Sequence, residues 1–533
     1  MPSSYMGQIT GRRLFAYLYG IVAVIAAMTL AKGGLYINRH EGDTLHLTEI
    51  AMRMAEGQWP HIDFVTPLGG ISFVPIAALL AMGFGIGTAA LLSQILFAAL
   101  LVPAVWWVAQ TRLEPELRLG FGAIVLLMAL ALIHGEASGQ ISLSMHYNRW
   151  AWCLAFLAVP LAVFAAEERA TGWPDGVIIG FAMSFFLLGK VTFAVALAPG
   201  LLLAMVMRGA WRSLGLALAV VAVFALIPVL FVGPAFWIGF VGDLLQVSGS
   251  GIRPRAGESW GGLLLSPQYL LGNLVLLGAI VMLRRSERPE LGLVLLVLAP
   301  GFLYITYQNY GNDPKWLVLL SVILLCAGQV WQYRVLALCA ALLIAPSFLN
   351  MAVSPIRHAL LGKPDFTPVF AQAPHDDFYT PRSRVFRVME RGTITFEDPQ
   401  FTSLNEFANK EPDVEFAGVT YPSCVQELGL LGMMQTVAAD LRSFGLGDEA
   451  RIFTADTFGG IWMFGGFAPL KGGSPWYYGD LSGFQNAEYL LVPTCPITPR
   501  AFKAILADID AREMVELSLL RETELYRLYR LDQ

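Results

Sequence analysis

Long apolar stretches alternate with short polar connections through the first 350 residues. A helix needs about 20 mostly apolar residues to cross a bilayer core. Stretches approaching that length run over 14–32, 87–109, 117–134, 150–166, 176–189, 191–207, 213–232, 263–283, 290–306, 316–329 and 335–350. They predict about eleven transmembrane helices. The pair meeting at Gly189-Lys190 is the least sharply bounded. After 351 the pattern changes. Charge and proline become frequent, and no apolar run long enough to span recurs. An irregular linker running along the membrane is expected over 351–400, then a helix over 424–444. Strands follow at 451–455 and 488–492, a helix at 499–511, and a closing hairpin of 514–520 with 525–531. The predicted architecture is a polytopic α-helical membrane part, 1–350, followed by a soluble α/β domain, 351–533.

Basic residues orient the spans. Arg12, Arg13, Arg112, Arg118, Arg169, Arg208, Arg212, Arg284, Arg285, Arg288 and Arg334 all fall in connections that can share the cytoplasmic side. The remaining connections then lie outside: 33–86, 135–149, the turn at Lys190, 233–262, 307–315 and everything after 351. This holds only if a further apolar run, 69–84, does not cross. Pro67-Leu68-Gly69-Gly70 at its start and Gly83-Phe84-Gly85 at its end bound a short separate helix. That helix is expected to lie on the outer surface or to dip in and return; an ordinary span is the competing reading. The first apolar run reads as an uncleaved span, since no small-x-small cleavage site follows it.

Composition agrees with lipid as the main solvent. Hydrophobic residues make up 56% of the chain and charged residues 14%, against about 25% charged in soluble domains. A net charge of −5 without a basic tract excludes a nucleic-acid partner. Seven His and five Cys show no zinc-finger spacing. Cys153, Cys326 and Cys339 sit in apolar runs as buried thiols. Cys424 and Cys495 fall in the soluble part, where an oxidising compartment would permit a bridge between them.

The first outer connection is long and polar. Asp43 or Thr44 can cap a helix that runs to about Glu56 and stops at Gly57. Its apolar side, including Leu45, Leu47 and Ile50, would rest on the membrane surface. The helix dipole would keep Asp43 ionised, and an ionised carboxylate there can serve as a general base. A simple capping role is compatible with this. His40 and His46 flank the acid, but one loop without fixed ligand spacing is thin support for a metal. No cofactor is expected.

Gly57-Gln58-Trp59-Pro60-His61-Ile62-Asp63-Phe64 resembles a motif, G-x-x-P-Y-x-D-F, of GT-C class membrane glycosyltransferases. These are the polyprenyl-phosphate-sugar-dependent enzymes related to the dolichyl-phosphate-mannose and aminoarabinose transferases. His61 replaces the usual Tyr. Counted back from Gly57, the family's catalytic Asp position falls on Asp43. The following residue, often Glu in that family, is Thr44, and Glu41 is a nearby substitute. Asp63 either orients the loop or meets the acceptor. The resemblance covers the first ~90 residues and is architectural beyond them. It implies inverting transfer of a sugar from a polyprenyl phosphate to a hydroxyl acceptor, a glycolipid or polysaccharide. The setting would be the outer face of a bacterial inner membrane, with the C-terminal domain periplasmic.

Polar groups at membrane depth are candidates for the phosphate and the sugar. Lys190 can bind a lipid phosphate and stabilise the leaving group, or merely snorkel to the interface. Arg149 can fork onto phosphate, as can Arg253 and Arg255 in a basic outer loop that also suits anionic headgroups. His146 and Tyr147, with Trp150, are substrate-contact or interfacial-belt residues. Asn309, Asn312 and Asp313 lie in an amide- and aromatic-rich loop that can bind sugar hydroxyls or simply turn. The Gly- and aromatic-rich stretch 459–478 is expected to face the membrane part and shape the acceptor site. Two other classes remain: a transporter or flippase of lipid-linked sugars, which would need a polar path through the bundle, and a non-catalytic scaffold.

Overall fold

The computed structural model describes all residues except 1–10, 136–137, 167–171, 253–258, 309–312, 386–411, 422–428, 513–515 and 533. Each predicted apolar stretch forms a helix except 263–283, which is divided at Ser266 between two. The first is α1 (Gly11–Leu30). The short outer helices are α2 (Glu41–Ala55) and α3 (Val74–Ala81). Then come α4 (Ile86–Arg112), α5 (Pro115–Ala129), α6 (His146–Val163), α7 (Trp173–Gly189), α8 (Val191–Met207) and α9 (Trp211–Val232). After α10 (Ala235–Gly249) and α11 (Trp260–Leu265) follow α12 (Pro267–Arg284), α13 (Pro289–Gln308), α14 (Trp316–Ala327) and α15 (Trp331–Leu360). Among the described residues, α1, α4, α9, α13 and α15 are long and apolar enough to cross a membrane, and several shorter apolar helices pack with them. The chain is a multi-pass membrane protein.

Apolar composition alone does not say where a helix sits. α6 is buried along its whole length from His146 to Ala162, as a helix that is apolar all round must be when neighbours surround it. α9 is as apolar but buries only Ser213, Ala217 and Pro228, leaving Leu230 and Phe231 outward, the signature of a lipid-facing helix. Small residues let backbones approach. A Cβ on Gly301 of α13 would meet the Ala196 carbonyl of α8 at 2.1 Å, and one on Gly180 of α7 would meet Val220 of α9 at 2.7 Å.

Within 69–84, α3 is a short separate helix of 8 residues, a rise of about 12 Å. Other expectations change. α5 stops at Ala129, short of 134. The connection 233–262 is not a plain loop, because it contains α10. α10 packs Phe236 and Phe240 beside Leu188. α15 continues past 350 to Leu360. The segment beyond it is not an irregular linker either. β2 (Phe366–Pro368) and β3 (Phe378–Pro381) pair antiparallel, and β3 pairs in parallel with β1 (Leu35–Tyr36). The Asp377 carboxylate then caps α4 from afar, accepting from the Gly87 and Thr88 amides at 2.9 and 2.7 Å.

β4 (Val414–Phe416) and β5 (Val419–Tyr421) pair antiparallel with each other. Near the C-terminus, β6 (Ile452–Thr454), β7 (Tyr489–Pro493), β9 (Tyr526–Asp532) and β8 (Glu516–Glu522) form one sheet in the order β6-β7-β9-β8. β6 and β7 run parallel and the other pairs antiparallel. The helix Pro499–Asp510 buries Ala501, Phe502, Ile505, Leu506 and Ile509, one helical face, against Leu490, Val492 and Tyr529. The helix Leu430–Phe444 covers the other side. There Leu491 and Leu528 join the same apolar cluster as the bundle. One face of this α/β layer thus has its own core, and the other is continuous with the membrane helices. Cys495 is disulfide-bonded; Cys424, the expected partner, lies outside the described residues.

Candidate functional site

α2 begins one turn earlier than the capping residues suggested. His40 takes the cap position with φ 62° and makes no side-chain cap bond. Neither Asp43 nor Thr44 is the cap: the Thr44 hydroxyl donates to the His40 carbonyl at 2.9 Å, and Asp43 lies in the first turn. Gly57 stops the helix with φ 86°. α2 does not rest on a membrane surface. Its buried residues run all round it, because the C-terminal layer lies over it. Trp462 Nε1 donates to Glu49 at 3.0 Å, and Arg53 donates to the Leu470 carbonyl at 3.1 Å.

Asp43 opens into a cleft with about 480 Å³ of empty volume. α2 supplies Asp43 and His46, and the following loop supplies Pro67 and Leu68. Ser144 and Tyr147 come from the start of α6, Lys190 from the α7–α8 junction, Gln308 from the end of α13, and Trp476 and Tyr478 from the C-terminal layer. The Ser144 hydroxyl donates to Asp43 Oδ2 at 3.1 Å. Lys190 is the single non-helical residue between α7 and α8, with φ −145°. Its ammonium stands 5.5 Å from the Tyr147 ring centre. The loop before α3 fixes this junction: Gly69 donates to the Gly189 carbonyl at 3.1 Å, and a Cβ there would strike the Leu188 carbonyl at 1.8 Å. An acid, a cation and aromatic walls therefore share one cleft.

The other predicted residues go elsewhere. Arg149 is fully buried and reaches no cleft. Its guanidinium holds the Ile133 carbonyl, and it also reaches the Ser144 carbonyl at 3.4 Å and Gln94 at 3.2 Å. It props the connection that delivers Ser144. His146 is buried with Nε2 on the Ser72 carbonyl at 3.2 Å. Glu41 pairs with Arg384, which donates to Oε2 at 2.8 Å. Asp63 closes its own loop, accepting from the Trp59 amide at 2.8 Å. Asp313 is buried against Ser347. None of these five lines the cleft. Arg253, Arg255, Asn309 and Asn312 lie outside the described residues.

Some contributors were not visible in the sequence. His61, where the motif has Tyr, sets Nδ1 2.7 Å from Asp243 of α10, and the same carboxylate accepts from the Thr66 amide at 3.0 Å. Nothing local announces that pairing. Trp476 and Tyr478 were legible only as part of an aromatic-rich stretch. Ser144 had no signal beyond a polar loop. Among the described residues no three His, Cys, Asp or Glu side chains converge as a metal set would.

An apolar groove with about 1160 Å³ of empty volume shares no lining residue with the cleft, but draws on the same two segments, 67–71 and the α7–α8 junction. Trp59, Ile71, Val74, Leu188, Phe224 and Phe236 line it. Leu188 faces the groove and Lys190 the cleft, with only Gly189 between them in the chain.

No family model matches the chain, and no curated protein matches it. Two solved structures are similar, those of ArnT from Cupriavidus metallidurans in the apo state and bound to undecaprenyl phosphate. Each is 11% identical, covering 96% of this chain and 97% of that one at a TM-score of 0.44. A likeness that distant sets no residue correspondence, so the functional reading rests on the cleft.

Proposed function

We propose that this chain is a membrane glycosyltransferase of the GT-C type, transferring a sugar from a polyprenyl-phosphate carrier to a hydroxyl acceptor at the outer face of the membrane. Residues 351–533 would then form an extracytoplasmic cap over the transmembrane part. The observation that carries the reading is the single cleft holding Asp43 and Lys190 between aromatic walls, beside an apolar groove. A lipid phosphate needs a cation for its headgroup and an apolar path for its chain. Lys190 supplies the first, and the groove lined by Leu188 the second.

In this mechanism Asp43, oriented by Ser144, takes the proton of the acceptor hydroxyl. The acceptor oxygen bonds to the anomeric carbon from the face opposite the phosphate, the carbon–phosphate-oxygen bond breaks, and configuration inverts. The phosphate leaves as an anion, and Lys190 stabilises the charge that develops on it. Trp476, Tyr478 and Tyr147 offer flat faces to a sugar ring. The polar groups gather at one end of the bundle, which suits a reaction at a surface better than passage through it.

The test is transfer from a panel of radiolabelled polyprenyl-phosphate sugars by the purified protein in bilayer nanodiscs. Wild type should transfer one of them, and Asp43→Asn should not at equal folded amount. Unchanged transfer by Asp43→Asn would remove the assigned base. Movement of labelled lipid across proteoliposomes without transfer would replace the reading with transport.

A further inference from the structure

Three helices that build the cleft meet again at their other ends. α6 brings Tyr147 to the cleft, the start of α8 brings Lys190, and the end of α13 brings Gln308. The far ends of the same helices enclose a pocket with about 650 Å³ of empty volume. α8 has 17 residues, a rise of about 26 Å, close to the thickness of a hydrocarbon core. Pocket and cleft thus lie at opposite ends of one helical layer. Arg208, Arg212, Arg284, Arg285 and Arg288 crowd the connections at the pocket end, the pattern of a cytoplasmic face.

Three charged side chains line the pocket: Arg208 after α8, Arg288 before α13, and Glu290 in the first turn of α13. Phe164, Met207 and Val294 supply apolar wall. Met207 is 41% exposed, and Val206 and Leu296 of the same two helices are also turned outward. The pocket therefore opens on a flank that lipid tails cover. The Phe164 carbonyl fixes Arg208 at its lip, accepting from Arg208 Nη1 and from Arg112 Nε. Arg112 is committed to Asp175, whereas Arg208 keeps further donors for a ligand. Among the described residues, neither Arg288 nor Glu290 has a hydrogen-bonded or ion-paired side-chain partner.

Two guanidinium groups in one pocket suit a phosphate. A carboxylate beside them repels a simple anion and suits a cation. The set matches a ligand that carries both charges a few atoms apart and brings apolar chains to the outward flank. We propose that this pocket binds the headgroup of an aminophospholipid, phosphatidylethanolamine, from the leaflet opposite the cleft. Arg208 and Arg288 hold its phosphate diester, Glu290 accepts from its primary ammonium, and the acyl chains run along Met207 and Val294. Such a lipid ties α8 to α13 at the ends remote from Lys190 and Gln308. The assignment needs the helices to cross a bilayer and does not depend on sugar transfer.

The test is native mass spectrometry of the full chain, freed of lipid in detergent. It is titrated with phosphatidylethanolamine, phosphatidylglycerol and phosphatidylcholine of the same acyl chains. The first should bind most tightly, because the second has no cation and the ammonium of the third has no hydrogen to donate to Glu290. Glu290→Gln should abolish the preference for phosphatidylethanolamine over phosphatidylglycerol. Arg288→Ala should weaken phosphatidylethanolamine by about fivefold, the worth of one basic side chain beside a lipid headgroup. Both positions are exposed, so these variants should fold. Equal binding of the three lipids, or a preference that survives Glu290→Gln, overturns the site. Loss of the preference in Lys190→Ala also overturns it, by placing the lipid in the cleft. Displacement of the lipid by inorganic phosphate alone would make the pocket an anion site and overturn the lipid reading.

Discussion

At its N-terminal end α2 presents Asp43 to an open cleft. About two turns further on it buries Glu49 against Arg53, which are 1% and 2% exposed. The Arg53 Nη2 stands 2.9 Å from Glu49, and both side chains reach on to Trp462 and Leu470 of the C-terminal layer. The two ends use the same residue types for different ends because their surroundings differ. Near Asp43 the nearest cation in the cleft belongs to another segment, and a substrate can come between. Around Glu49 both Arg53 and Trp462 bind Oε1, so the pair holds parts together. Position on a helix says less about a carboxylate than what else is within reach of it.

Asp43→Asn should break the functional end and spare the structural one. Transfer should fall by about 10²–10⁴-fold, the usual worth of a general base, with the melting temperature unmoved. Parallel activity and thermal-melt measurements check this, and a melting shift as large as the activity loss would put Asp43 on the structural side. Arg53→Met should do the reverse. It strands Glu49 without its cation, and unfolding should become easier by about 3–5 kcal/mol. Adding Glu49→Leu should recover most of that loss in the same melt. Failure to recover would mean that the bolt acts through Arg53 packing on the Trp462 ring, whose centre lies 5.5 Å away.

A third acid sharpens the contrast. Burial pushes the Asp456 carboxyl up to about 6, and the amides of Ile497, Thr457 and Thr498 limit the rise. Its folded value stands above the unfolded one of 3.8. The stabilisation it gives is therefore complete below pH 3.8 and is lost as pH rises through about 6. This amounts to about 3 kcal/mol. Hydrogen exchange in β6 and β7 between pH 4 and 7 should show the loss, and Asp456→Asn should flatten it. The smallest effect is expected from Ser144→Ala, which removes one hydrogen bond to Asp43. Transfer should drop by about tenfold or less with stability unchanged. A complete loss of activity would show that Ser144 does more than orient the acid.

Much of the bundle was legible because lipid imposes one rule on every span. Ten of the eleven apolar stretches became single helices among the described residues, the eleventh, 263–283, was split at Ser266, and the bounded run 69–84 held a short one. The strands and helices near the C-terminus also fell close to their predicted places, since alternation and a helical apolar face are local signals. The setting of α2 was not legible. Its apolar side suits a membrane surface equally well until a layer hundreds of residues away covers the other side. Arg149 misled for a related reason. An arginine in an apolar run looks like an anion receptor, but the carbonyls of Ile133 and Ser144 answer its donors. The site in turn was half visible. Asp43 and Lys190 stand out by sequence context, whereas Ser144 and Gln308 acquire meaning only when separate helices end at the same place.

The cleft walls Trp476 and Tyr478 also carry a consequence for synthesis. A ribosome releases Trp476 and Tyr478 only after every bundle helix has emerged. The helices can therefore be inserted while the cleft still lacks two of its walls and Arg53 still lacks the Leu470 carbonyl. Chains that stop short of these residues would insert but stay open, so a segment made after the helices decides when the finished chamber exists.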